Sequence, residues 1–572
     1  MKRKGFTLIE LLAVIVVLAV IALIAIPIVL NTIEETRKGA AQSSAYAYVN
    51  EVETKLASYM LNNNGDSFKD GKYSIETLKT DLGIELKGDK PTEGNVCIGT
   101  DGKITKALVK INNYVVSYDG NEATTTEAEE IEDVTCILGD PILDKAKTLV
   151  YDESGVCKTD GSTYQYMDGC YIKGAQENNY VWYNGFMWRI MGINSDSSVR
   201  MITDENVTAL PYGQAKYAEN DEYIHGWLIE YFYNNLNSTK SIIKEGAYFC
   251  SESTNKQTLT EGRTTCTAGN VVTTKIGLIS LDEYLLAGAA TSYLNIAQHS
   301  YTMTPYYYIT YAWRVSDNGN VSNNSVVNPH GVRPVINVSS NAIVTTGDGT
   351  TANFYILGED KNISITGTLS EKATSGEYVS LEGHTYRVVR KENDGVKLVL
   401  DGYYEEKKGT VYKIKYNETT GDNIFTLTSG IGAKLNVDVL SWLGLSNSDK
   451  IIETTYYQGD GFLHGSKYQD ILKESNGVLA KVGLIQVGDI LASHSSTMLT
   501  KNYTTARNNK CSYWTINKDT RPSYAFYFST NGNPTNYYDV NIVAGVRPVI
   551  KVRNDLTITG GNGTWASPYQ IS

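Results

Sequence analysis

From Phe6 to Leu30 every residue is apolar except Thr7 and one charge, Glu10. The run is longer than the ~20 residues a helix needs to cross a bilayer core. Lys2, Arg3 and Lys4 precede it and mark its cytoplasmic end. After Asn31 the pattern becomes amphipathic. Ala41, Ala45, Tyr48, Val49, Val52, Leu56, Tyr59 and Met60 recur at three- and four-residue steps, which predicts that the helix continues to about Leu61 with one buried stripe. Asn62-Asn63-Asn64-Gly65 ends it. Ser74 to Gly83 reads as a short helix closed by glycine, and 95–98, 107–111 and 114–118 read as strands. Residues 121–135 carry six acids and no base, the pattern of a solvated linker.

Beyond the linker the chain repeats itself. The segment 180–191 aligns with 378–389, and Lys275-Ile-Gly-Leu-Ile-Ser-Leu281 with Lys481-Val-Gly-Leu-Ile-Gln-Val487. Gly331-Val-Arg-Pro-Val-Ile336 recurs as Gly545-Val-Arg-Pro-Val-Ile550. Trp227-Leu228 is matched to Trp442-Leu443, and Ala312-Trp313-Arg314 to Tyr513-Trp514. Asn318-Gly-Asn320 and Asn531-Gly-Asn533 are hairpin signals at like places. Two tandem modules follow, 146–357 and 358–572.

The order Gly5-Phe6-Thr7-Leu8-Ile9-Glu10, the basic leader and the apolar run resemble the N-terminus of type IV prepilins and pseudopilins. The resemblance implies cleavage by a prepilin peptidase after Gly5 and methylation of the new amine on Phe6. It implies that Glu10 neutralises the N-terminal amine of a neighbouring subunit, and that Pro27 is the helix-kinking proline. It also implies a membrane protein with its N-terminus in the cytoplasm that later joins an extracellular filament with other pilin subunits. The repeated half resembles Gly-Val-Arg-Pro domains of unknown function from bacterial surface proteins. More distantly, it resembles compact α+β domains of the C-type-lectin or formylglycine-generating-enzyme kind.

The expected fold class is α+β: a long N-terminal membrane and filament helix with a small pilin-type sheet, then two duplicated β-rich α+β modules. The expected segments are a leader 1–5, a membrane and filament-core helix 6–30, a pilin-like helix and cap 31–120, an acidic linker 121–145, and the two modules.

Composition narrows the function. Asp and Glu number 63 against 51 Lys and Arg, giving −12, and loss of the three leader cations takes this to −15. Phosphate binding rests on clustered Lys and Arg, so nucleic acid is not favoured as partner. Tyr is abundant at 42 against 10 Phe, which suits a β-rich extracellular surface. Of the cysteines, sequence proximity suggests Cys157–Cys170 and Cys250–Cys266, with Cys97–Cys136 closing the pilin-like module and Cys511 left over. Connectivity is not fixed by sequence, and reduced thiols are the alternative. There is no Cys-x-x-Cys, no metal-spaced histidine pair, no Gly-x-Ser-x-Gly and no phosphate loop, so neither a metal, a cofactor nor an enzymatic activity is expected. His225, His299, His330, His384, His464 and His494 read as lone surface residues.

Arg189, Arg333, Arg387 and Arg547 stand in apolar strands and read as structural, tying strands together, with an anion site as the alternative. Tyr301, Tyr306, Tyr307, Tyr308 and Tyr311 crowd one stretch, and Tyr524, Phe526, Tyr527, Phe528, Tyr537 and Tyr538 the matching one. Core packing is favoured over a binding face for them. The reading is a filament subunit, minor because of its bulk, displaying adhesion modules for a host or surface glycan or protein. The alternatives are a pseudopilin of a type II secretion or competence system and a membrane-anchored surface enzyme acting on glycans or peptides.

Overall fold

The structure is a computed structural model. It describes the chain except residues 1–7, 63–67, 69–70, 85–88, 100–101, 119, 121, 128–130, 132–135, 137–138, 214–221, 237, 255–260, 359–366, 408–409, 418–420, 460–466, 472–473, 490–511 and 529–535. Most side chains of residues 8–30, and those of 62, 238, 239, 406, 536 and 537, also fall outside the description. The fold is α+β, in two compact units, Met1–Asp140 and Pro141–Ser572.

The first unit is one long helix, Leu8–Asn62, with a sheet and a short helix against its C-terminal half. Ala41, Ala45, Tyr48, Val49, Val52 and Leu56 of the predicted stripe are buried, while Tyr59 at its end is exposed. They pack on Val96, Ile98, Ile104, Val109, Ile111 and Val116 of the sheet. The antiparallel sheet runs in chain order through Gly71–Ser74, Glu93–Ile98, Ile104–Ile111, Tyr114–Tyr118 and Ala123–Glu127. Ile75–Leu82 is capped by the Ser74 hydroxyl and closed by Gly83 at φ 61°. Part of the expected linker is therefore strand: Ala123–Glu127 pairs along Tyr114–Tyr118. Its three threonines favour extended backbone and outweigh the acidic composition around them. The helix holds this strand through Gln42, which donates to the Ala123 carbonyl (2.9 Å), and Tyr46, which accepts from the Ala123 amide (2.9 Å). Glu53 accepts from the Ile104 amide at 3.0 Å.

In the second unit, a central sheet in residues 146–357 runs Ile276–Gly277, Val335–Val338, Val199–Thr203, Phe186–Ile193, Tyr180–Tyr183, Tyr355–Leu357 and Ile343–Thr346. A sheet in 358–572 runs Val482–Leu484, Pro548–Arg553, Gly395–Leu400, His384–Glu392, Tyr378–Leu381, Tyr569–Ile571 and Ile558–Gly560. Aligned segments take the same places in the two orders. Both long hairpin strands carry a bulge, at Ile190/Gly192 and at Val388/Arg390.

The helices correct two of the residue matches. Trp227 precedes the π turn Leu228–Tyr233, whereas Trp442 follows the π turn Leu435–Val439. Trp514 lies on Tyr513–Lys518, whose parallel bridge to Gly545 corresponds to that of Ser300 to Gly331. Its counterpart is therefore Tyr301, and Trp313 lies on the neighbouring strand. Aromatic side chains are kept in each half, but the tryptophans do not take the same positions.

The two halves share a seam. Trp182, Met187, Phe354 and Ile356 cluster with Tyr378, and Trp565 packs against them. A Cβ on Gly185 would lie 2.1 Å from the Ser375 carbonyl oxygen, and Gly185 has φ +77°, so the turn accepts only glycine there. Tyr231 and Tyr468 meet edge-on at 5.2 Å.

Candidate functional site

Gly5 and Phe6 lie outside the described residues. Glu10 and Pro27 fall on the Leu8–Asn62 helix, and their side chains lie outside the description. Among the described residues no helix is long and apolar enough to cross a membrane; most side chains of 8–30 are not among them. Those that are, Leu12, Val16, Val17, Ile26 and Val29, stand 54–61% exposed on the helix. These side chains point to several sides of the helix, and nothing else among the described residues covers them.

The four arginines are buried. Arg333 donates to the Thr203 carbonyl through Nε (3.0 Å) and Nη2 (2.9 Å), and to the Leu294 carbonyl through Nη1 (2.7 Å). Burial pulls its guanidinium down to about 10, with Asp204 opposing. Arg547 donates to the Leu400 carbonyl from the same place in the second half. Arg189 donates to Asn179 and to Asp204 (3.2 Å) and stacks on Tyr180 at 3.8 Å. Arg387 donates to the Gly376 carbonyl (3.2 and 3.1 Å). Most of these contacts run to main-chain carbonyls, so the guanidiniums tie strand ends and loops to one another.

One pair of charged contacts has no counterpart in the motif reading. Arg200 Nε donates to Glu283 at 2.7 Å, with the side chains 3% and 0% exposed. Glu283 also accepts from the Ser280 amide (2.9 Å), closing a capping box with the Ser280 hydroxyl. Burial works against the charge on Arg200, and Glu283 together with Tyr171 and Tyr166 more than offsets it. At the matching positions of the second half Lys397 meets Asp489 at 3.0 Å, and Asp489 accepts from the Gln486 amide. The signal lies in the repeat itself: the Gly-Leu-Ile segments place both acids at the first turn after the same strand.

A cleft of about 440 Å³ opens beside Arg189, lined among others by Glu177, Tyr180, Asp204, Glu205, Tyr293 and Gln298. A second, of about 500 Å³, is lined by Arg390, Lys397, Lys551, Glu392, Asp394 and Glu474. There Lys551 meets Glu392 and Asp394 (2.6 and 2.5 Å). Burial disfavours the Glu392 carboxylate, but Lys397, Lys551 and Arg390 prevail and hold it down at about 2.

The histidines depart from the surface expectation. His225 and His330 are buried, and His299 and His384 are partly buried; His464 and His494 lie outside the described residues. His225 packs edge-on against Tyr212, and burial drives it down to about 3. His299 and His330 sit 5.5 Å apart with Arg314 beside His330, and burial and Arg314 lower both. Their neighbours are buried strands, so spacing in the sequence carried no sign of the enclosure.

The aromatic stretches divide. Tyr301 and Tyr306 are buried, as are Phe526, Tyr527 and Phe528. Tyr307, Tyr308 and Tyr311 are exposed at 63%, 62% and 40%, with Ile309 at 77%, on the turn joining Ser300–Pro305 to Tyr311–Val315. In the second half Tyr538 is exposed, and the corresponding turn holds Asp519 and Arg521, paired at 2.8 Å.

Disulfides join Cys97 to Cys136, Cys157 to Cys170 and Cys250 to Cys266. Cys511 lies outside the described residues.

Residues 1–26 match the family described as the prokaryotic N-terminal methylation motif. No curated protein and no solved structure matches the chain. The matched segment is that of a type IV prepilin or pseudopilin, and such a segment is processed by prepilin peptidase and assembles with other pilin subunits.

Proposed function

We propose that this chain is a minor subunit of a type IV pilus or pilus-like filament. It is inserted in the membrane with its N-terminus in the cytoplasm, cut after Gly5, methylated on Phe6 and assembled through Glu10. The methylation motif carries this reading. The exposed aliphatic side chains of Leu12, Val16, Val17, Ile26 and Val29 support it, because a filament buries such side chains against neighbouring helices. The matching strand orders of 146–357 and 358–572 support a duplication, and the seam makes the pair one display unit. Its bulk suits sparse or terminal positions in a packed filament. We read the unit as binding rather than enzymatic, an adhesion module whose four motif arginines are spent mostly on backbone carbonyls.

Immunogold labelling with antibody against residues 141–572 tests the role. Gold on surface filaments, and its loss in a Glu10→Ala strain, is the expected result. Intact unlabelled filaments together with lost protein export would instead identify a pseudopilin of a secretion system.

A further inference from the structure

We propose that the turn carrying Tyr307, Tyr308, Ile309 and Tyr311 is a binding platform for an uncharged glycan. The inference rests on the display role proposed above and names the ligand class of that unit.

The platform is built before any ligand arrives. Beneath it Tyr306, Trp313 and Leu281 form a small buried cluster. The Trp313 indole donates to the Thr254 carbonyl at 3.1 Å, and so does the Tyr307 amide. The turn is closed on itself: the Tyr311 amide donates to the Tyr308 carbonyl (3.0 Å), and the Tyr306 amide to the Tyr311 carbonyl (3.2 Å). The Tyr307 and Tyr308 rings stand 5.3 Å apart at 74°, forming a corner rather than a flat stack. Rings held this way bind with little ordering cost.

The chemistry around the rings selects the ligand. No acidic or basic side chain occurs from Ser300 to Trp313 or from Asn318 to Pro329. The adjacent strand Val321–Ser325 pairs with Tyr311–Val315 and sets half-exposed Ser322, Asn323 and Asn324 alongside. Four of the five exposed residues from Tyr307 to Tyr311 carry a hydroxyl, Thr310 among them. Aromatic faces take the C–H faces of sugar rings, and amides and hydroxyls exchange hydrogen bonds with sugar hydroxyls. A tip built for lipid would carry Trp, Phe or Leu beside free Lys and Arg, whereas the one base on the two arms, Arg314, is turned to Ser322 (3.2 Å) and His330 (3.2 Å). A stable protein interface draws on ~20–30 residues a side, far more than this turn offers. The matching turn of the second half, with Asp519 and Arg521 closed on each other, lacks the platform.

Calorimetry on the full chain in detergent micelles tests this. The probes are cellohexaose, chitohexaose and mannohexaose as neutral chains, oligogalacturonate as an anionic chain, and phosphatidylcholine vesicles. The expected result is binding to at least one neutral hexasaccharide. Affinity falls about tenfold or more in Tyr307→Ala/Tyr308→Ala, as the loss of a ring contact implies. Tyr538→Ala, in the second half, leaves it unchanged. Unaltered near-ultraviolet circular dichroism shows that the double variant is folded. No binding to any neutral probe, equal binding by the double variant, or a preference for oligogalacturonate or vesicles overturns the proposal. Each of these outcomes leaves filament assembly, read by immunogold, untouched.

Discussion

Replacing Glu283 by Gln removes one charge of a buried pair. In the native chain Arg200 Nε and Nη2 reach Glu283 at 2.7 and 3.4 Å, with both side chains at most 3% exposed. The remaining acceptors are the Asn337 side-chain oxygen at 3.3 Å and the Tyr248 carbonyl at 3.4 Å, both neutral. Leaving one charge of a buried pair without its partner costs about 3–5 kcal/mol. Gln keeps the shape and one acceptor, so the lower end, about 3 kcal/mol, is the expected loss. Urea unfolding of the full chain in detergent, followed by tryptophan fluorescence, measures it, because Trp188, Trp227 and Trp313 are all buried in this half. Adding Arg200→Met to Glu283→Gln should restore part of the loss, since the stranded charge is gone. Asp489→Asn should cost less, because Glu392 still lies 3.6 Å from Lys397. A Glu283→Gln variant within about 1 kcal/mol of the native chain would refute the reasoning. So would a double variant less stable than the single one.

Acid should weaken the second unit well before its carboxylates titrate. His225 is held at about 3 by burial, below the ordinary value of 6.5. A group depressed in the folded state lends stability that is complete above its unfolded value and is lost as pH falls. The loss from this residue begins near pH 6.5 and reaches about 2 kcal/mol by pH 5. Urea midpoints at pH 7 and pH 5 measure it, and His225→Phe should flatten the difference. Glu392, held at about 2, adds a second loss between about pH 4.5 and 2, about 1–2 kcal/mol after allowing for its partial exposure. Gly185→Ala places a methyl group on the Ser375 carbonyl at a positive φ, so the halves should separate in unfolding. A calorimetric scan is expected to change from one transition to two, and a single transition at the native temperature would count against the seam.

Much of this architecture is legible in the sequence where a repeat pattern meets one buried face. The helical stripe from Ala41 to Leu56 is buried as its spacing predicts, and Ser74 and Gly83 bound their helix. Ala123–Glu127 was hidden because acid density spoke louder than three adjacent threonines, whereas pairing with Tyr114–Tyr118 decides the matter. The tryptophan matches failed for a related reason. A core needs aromatic volume, not a fixed residue, so Trp514 fills the place of Tyr301. Long-range contacts were beyond reach altogether: Arg200 and Glu283 lie 83 positions apart, and only the folded strand and helix bring them together. Exposure of Tyr307 and Tyr308 beside buried Tyr306 follows from a turn whose geometry no alternation pattern contains.

The central claim, that the N-terminal segment is processed for a filament, is tested most directly by mass spectrometry of the mature N-terminus. The expected chain begins at Phe6 and carries one methyl group on its amine. An N-terminus at Met1, or one created beyond Pro27, would contradict it.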